Sequence, residues 1–139
     1  MKRASMLLLL LCGFAAGQDT FTNGLVNGRF WASISTVQSK RALLLGFREG
    51  LKIGILQFVD CGNEKVKIAL EMSFPSSEKL NSDELISAMD RFYAEPLNRA
   101  IPIGQALIYI GAEVTGMKPA QLAEVLADFR RDAATPPKQ

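Results

Sequence analysis

Apolar side chains recur every three or four positions through most of this chain, and that spacing commits it to helices packed around a shared interior. The longest such stretch starts after Ser35 or Thr36, either of which can cap it, and runs to about Phe58. On a helical wheel Leu43, Leu44, Phe47, Leu51, Ile55 and Phe58 share one half, while Arg41, Arg48, Glu49 and Lys52 occupy the other. About 23 residues would span about 35 Å at a rise of about 1.5 Å per residue. Charges at Lys40, Arg41, Arg48, Glu49 and Lys52 make it an amphipathic helix and not a membrane span.

Gly46, Gly50 and Gly54 fall at intervals of four within that stretch. Each costs about 0.8–1.0 kcal/mol against alanine in a helix interior. A combined cost of about 3 kcal/mol calls for an offset. One account is a groove where another helix backbone approaches closely. The other is a break near Gly50 or Gly54 that makes two helices.

The remaining helices have readable ends. Asn27 to Ser35 reads as a short helix with Phe30, Trp31 and Ile34 on one side. Asn81 caps the next, with Glu84 closing a capping box, and its buried face is Leu85, Ile86, Met89, Phe92 and Tyr93. Pro96 ends it. Pro102 opens a helix with Ile103, Leu107, Ile110 and Val114 inward, and Gly116 stops it. Pro119 opens the last one, with Leu122, Val125, Leu126 and Phe129 inward and Arg130 and Arg131 near its C-terminus, where positive charge is favoured. Short connections make the helices after residue 80 antiparallel neighbours.

One segment breaks the rhythm. After a turn at Asp60-Cys61-Gly62-Asn63, Val66, Ile68, Leu70, Met72 and Phe74 alternate with Lys65, Lys67, Ala69, Glu71 and Ser73. Period two argues for an extended strand, lying across the helices or pairing with a weak partner or a second copy. Its Lys, Ala, Leu, Glu and Met content keeps a helix open as the alternative. The expected fold is mostly α, a compact bundle of about five helices with one extended segment near residues 65–74. There is no internal repeat and no low-complexity segment.

The chain begins with Met1-Lys2-Arg3, an apolar run from Met6 to Leu11, and Cys12-Gly13-Phe14-Ala15-Ala16-Gly17. Basic start, short apolar stretch and small-residue end are the parts of a secretory signal peptide, with cleavage after Gly17. The rival is a lipoprotein signal acylated at Cys12, where Leu11 replaces the small residue expected before the cysteine. Residues 1–17 are thus read as a signal peptide, 18–131 as a single helical domain and 132–139 as a flexible tail. The expected localisation is exported, either periplasmic or secreted.

The full chain has 16 Lys plus Arg against 14 Asp plus Glu. Loss of Lys2 and Arg3 brings the mature chain to zero net charge, which argues against nucleic acid as a partner. Cys61 is then the only cysteine, so no internal disulfide forms, and the thiol is buried, free or paired with another molecule. The chain contains no histidine. That excludes the Ser-His-Asp and Cys-His arrangements and histidine zinc sites. No cofactor or metal is expected, and no catalytic residue can be assigned.

Candidate binding residues fall in three places. The stretch Asp90 to Pro102 joins two helices and concentrates charge, rings and prolines; in it Tyr93, Asn98 and Arg99 stand out, with Asn98 and Arg99 suited to an anion or a partner carboxylate. The competing view is a stiff turn, with Asn98 bonding backbone and Arg99 pairing with Glu95 or Asp90. Arg29 and Trp31 suit an interface if exposed, and a core if not. Arg41, Arg48 and Lys52 form a basic edge for an acidic partner or a plain solvated face, beside Glu49; Leu45 and Leu56 interrupt that polar arc. Glu49, Asp90 and Glu95 are the carboxylates to test for acid-base work, although nothing in their spacing pairs them.

Gly46-Phe47-Arg48-Glu49-Gly50 in one helix, then a helix ending Arg91-Phe92-Tyr93-Ala94-Glu95-Pro96, then a helix containing Ala106-Leu107, resembles the small periplasmic immunity proteins of type VI secretion amidase effectors. The resemblance covers about residues 40 to 115. It implies a compact, exported, all-helical fold and inhibition of a partner enzyme, and it assigns no inhibitory residue. This chain departs from that family's disulfide-forming cysteines. The expectation for function is an exported helical domain that binds another protein or itself. The rivals are a small periplasmic enzyme using carboxylates or arginines near Glu49 and Arg99, and a structural envelope protein.

Overall fold

The fold begins with a hairpin that periodicity alone does not reveal. β1 (Phe21–Thr22) pairs antiparallel with β2 (Leu25–Val26), Phe21 opposite Val26 and Thr22 opposite Leu25. Asn23 and Gly24 both have positive φ, 53° and 78°, the conformation that a two-residue hairpin turn requires and that Asn-Gly adopts at least cost. The computed structural model describes residues 20–59 and 80–135, side chains at 51, 52 and 55–59 excepted. The leader, the turn at 60–63 with Cys61, the alternating segment at 65–74, the loop at 75–77 and the last four residues of the tail lie outside the described residues. So do the inward assignments of Leu51, Ile55 and Phe58 and the place of Leu56.

Five α-helices follow the hairpin among the described residues. α1 (Gly28–Ser33) is one and a half turns long and starts at Asn27, whose side chain accepts from Arg29 N and Phe30 N. α2 (Val37–Val59) is 23 residues long. Its first turn is capped by Thr36, whose Oγ1 accepts from Ser39 N at 3.1 Å. α3 (Ser82–Ala94) opens on the reciprocal box expected of Asn81 and Glu84, and the acidic residues Asp83 and Glu84 sit in its first turn. A 3₁₀ turn at Pro96–Asn98 follows. α4 (Ile103–Val114) starts immediately after Pro102, and Gly116 past its end has φ 87°. α5 (Pro119–Ala134) carries proline in its first turn and continues three residues into the segment read as a tail.

α3 is the hub: it packs against α1, α2 and α4, and α4 in turn packs against α5. The core lies mainly between α3 and α4, built from Ile86, Met89, Phe92 and Tyr93 on one and Ile103, Ala106, Leu107 and Ile110 on the other. Trp31, Leu44 and Ile101 close it. Leu43, Phe47, Leu85, Val114, Leu126 and Phe129 pack on its edge. Phe92 stands edge-on to Tyr93, with centroids 5.1 Å apart and planes at 80°, a favourable ring geometry.

The glycine stripe of α2 behaves differently from either expectation. The helix runs unbroken through Gly50 and Gly54. A Cβ built at Gly46, Gly50 or Gly54 would meet nothing within 4 Å among the described residues, so no described backbone lies in a groove there. The close approach occurs at Gly28, where the Tyr93 ring covers the space a side chain would fill.

Candidate functional site

The junction between α3 and α4 is where three parts of the chain meet. Glu95 caps the 3₁₀ turn, accepting from Leu97 N at 3.4 Å. Asn98, 4% exposed, turns inward: its Nδ2 donates to Phe92 O at 2.8 Å, and its Oδ1 accepts from Arg130 Nε at 2.9 Å. One amide thus ties α3, the junction and α5 together. Tyr93 donates its hydroxyl to Ile101 O at 3.1 Å, and desolvation by burial pushes its phenol well above the usual tyrosine range.

The hairpin docks on the same junction. Thr22 Oγ1 donates to Ala100 O at 2.6 Å and accepts from Asn27 Nδ2 at 3.0 Å. Asn27 is fully buried, forms an isolated bridge with Pro102, and donates its backbone N–H to Thr20 O at 3.0 Å. Every side-chain polar atom of this Asn-Thr pair therefore has a hydrogen-bond partner inside the fold, as buried polar groups must. The side chains of Phe21, Leu25 and Leu97 are exposed by 50%, 60% and 65%. Phe21 and Leu25 belong to the hairpin that Thr22 ties to Ala100, and Leu97 to the 3₁₀ turn just before it.

A second constellation joins α1, α2 and α3. Trp31, 1% exposed, donates Nε1–H to Asp90 Oδ1 at 2.7 Å. Lys40 Nζ reaches the same oxygen at 2.5 Å and lies 4.9 Å from the Trp31 ring centroid, within cation–π range. A third feature is an open groove of about 820 Å³ at the start of α3, lined by Arg41, Asp83, Glu84, Ser87, Arg91 and Val114 among others. Arg41 is held there by Asp83 at 2.5 Å.

The sequence-derived candidates scatter over these features. Tyr93 and Asn98 meet at the junction, but both side chains face inward and hold it; the stiff-turn view of Asn98 is the observed one. Arg99 is exposed on the same turn, and Asp90, its suggested partner, is occupied by Trp31 and Lys40. Trp31 is a core residue. Arg29 is half-buried on α1. Arg48 and Glu49 sit on α2, half-buried and exposed respectively, and neither Glu49 nor Glu95 lines the groove. Arg41 is engaged by α3, so the basic edge of α2 loses its first member. Leu45, 47% exposed, does interrupt that face.

Sequence reasoning does not assign Asn27, Thr22, Lys40 and Arg130 to these networks, although Asn27 falls in the stretch that holds Arg29 and Trp31. The available signal was Asn23-Gly24, which marks a hairpin, followed by Asn27 just before a helical run, which marks a cap. Among the described residues no three acidic or cysteine side chains are placed to hold a metal ion, and no helix is long and apolar enough to cross a membrane. Comparison with protein-family models, curated proteins and solved structures finds no match for this chain.

Proposed function

We propose that this chain is an exported helical domain that binds another protein through the junction end of the bundle. The observation that carries the reading is the exposure of three large apolar side chains, Leu97 on the junction turn and Phe21 and Leu25 on the hairpin docked to it, each half or more exposed. A surface held by Thr22, Asn27, Tyr93 and Asn98 loses little freedom on binding, which favours affinity. Arg99 on the same turn supplies a polar rim position, in keeping with the apolar-centre, polar-rim arrangement of interfaces. The finer reading is an immunity-like partner of an amidase effector, in line with the resemblance at Gly46–Gly50 and Arg91–Pro96. Export rests on the tripartite leader at residues 1–17.

The test is site-specific photocrosslinking in cells that make the full chain. A photoreactive residue at position 25 or 97 is expected to trap one discrete partner, and the same residue at Ser82, at the opposite end of α3, is not. Equal trapping from all three positions, or none from 25 and 97, would overturn the assignment. Purified 18–139 chain added to a type VI amidase effector in a peptidoglycan-cleavage assay then decides the immunity reading: stoichiometric inhibition supports it, and unchanged cleavage removes it.

A further inference from the structure

Two Asn-Gly steps occur in this chain, at Asn23-Gly24 and Asn27-Gly28, and the fold treats them in opposite ways. Asn23 and Gly24 are both exposed at the tip of the hairpin, with positive φ at each. A two-residue turn leaves the N–H of its second residue outside the strand ladder. The Gly24 nitrogen is therefore available, and no side chain on Gly24 shields it; even a Cβ built there would meet nothing within 4 Å. Asn27 is fully buried, its Oδ1 accepts from Arg29 N at 2.9 Å, and its Nδ2 donates to Thr22 Oγ1 at 3.0 Å. Gly28 is pressed beneath the Tyr93 ring.

We propose that Asn23 is a site of spontaneous deamidation, and that Asn27 is protected from the same reaction by its place in the fold. The Gly24 backbone nitrogen loses its proton and attacks Asn23 Cγ. A new C–N bond closes a five-membered succinimide, and the Cγ–Nδ2 bond breaks with release of ammonia. Water from solvent then opens the ring at either carbonyl. One opening gives aspartate at position 23. The other routes the backbone through the side-chain carbon and gives isoaspartate. The net exchange is amide plus water to carboxylic acid plus ammonia, with no oxidant or reductant.

The two products have different consequences. Aspartate suits the same turn, since Asp-Gly also accepts positive φ. Isoaspartate lengthens the turn by one backbone carbon, which disturbs the pairing of Phe21 with Val26 and Thr22 with Leu25. That loosens the Thr22 tie to Ala100 and adds a carboxylate at the tip of the hairpin.

The experiment ages the full 18–139 chain in mildly alkaline buffer and follows both sites by peptide mass mapping. A carboxyl-methyltransferase specific for isoaspartate labels the second product. Asn23 is expected to convert to a mixture of both products at least about tenfold faster than Asn27, because reaction at Asn27 requires local opening first. In denaturant the two sites should convert at similar rates, which separates protection by the fold from intrinsic reactivity. N23D should abolish the fast phase and leave the circular dichroism spectrum unchanged. Equal native rates at the two sites, or an Asn23 that stays amidated as long as Asn81 and Asn98 do, would overturn the proposal.

Discussion

Gly28 lies against the Tyr93 ring of α3, and the fit leaves no room for a methyl group. Gly28→Ala is expected to destabilise the fold by about 1–3 kcal/mol, the range for forcing extra volume into a packed site. Urea unfolding followed by Trp31 fluorescence would check it; a loss below about 0.5 kcal/mol would show that the ring can move aside. The Tyr93 hydroxyl supplies a second residue-scale prediction. Unfolded tyrosine ionises near pH 10, whereas burial raises the folded phenol above that. Between those values the unfolded state sheds a proton that the folded state keeps, so stability falls as pH rises. Its contribution is whole below about pH 10, and the slope above it approaches about 1.4 kcal/mol per pH unit. Tyr93→Phe should cost about 1 kcal/mol at neutral pH through the lost bond to Ile101 O and should flatten that alkaline slope. Unfolding midpoints of both proteins from about pH 8 to about pH 11.5 decide the matter, and parallel curves would show that another group titrates.

At the scale of elements, the helices explain why much of the fold was legible and why some was not. The 23-residue length of α2, the box at Asn81 and Glu84, and the proline starts of α4 and α5 all rest on local chemistry, which a sequence displays directly. The inward faces of α3 and α4 follow from spacing in the same way. Strands of two residues are too short for alternation to register, so only the Asn-Gly turn marks the hairpin at 21–26 in the sequence. The candidate site was less legible still. Whether Trp31, Tyr93 and Asn98 face solvent depends on which helix lies above them, and that is a tertiary fact. The α2 glycines show the same gap: their spacing suggested a groove, yet Gly46 and Gly50 are exposed in a continuous helix. Gly46→Ala and Gly50→Ala should therefore each stabilise the fold by about 0.5–1 kcal/mol, the propensity difference with no steric penalty. A destabilisation by either, read in the same unfolding assay, would mean that something packs on that stripe after all. Asn81→Ala should cost about 1 kcal/mol through loss of the α3 cap.

At the scale of the whole molecule, α1 and α2 are fastened to α3 by polar contacts of unequal worth, and burial ranks them. Arg41 and Asp83 have side chains 42% and 70% exposed, so their pair is worth at most about 1 kcal/mol and is screened by salt. At Asp90 the balance differs because its two partners differ. Lys40 and Asp90 are 15% and 49% exposed at their side chains, and water can replace part of that bond. The Trp31 indole N–H belongs to a residue 1% exposed and has Asp90 as its acceptor. A buried donor left unpaired costs about 1–3 kcal/mol, more than the loss of a half-exposed ion pair. Asp90→Asn keeps an acceptor oxygen for Trp31 and removes only the charge toward Lys40, so it should cost less than about 1 kcal/mol. Asp90→Ala removes both and should cost about 2 kcal/mol. Raising the salt concentration should shrink the first penalty and leave most of the second, because screening acts on the exposed charge and not on the buried dipole. Trp31 is the only tryptophan, so its emission during urea unfolding reports this joint without ambiguity. Equal penalties for the two variants would mean that Lys40, and not the indole, anchors α1 and α2 to α3.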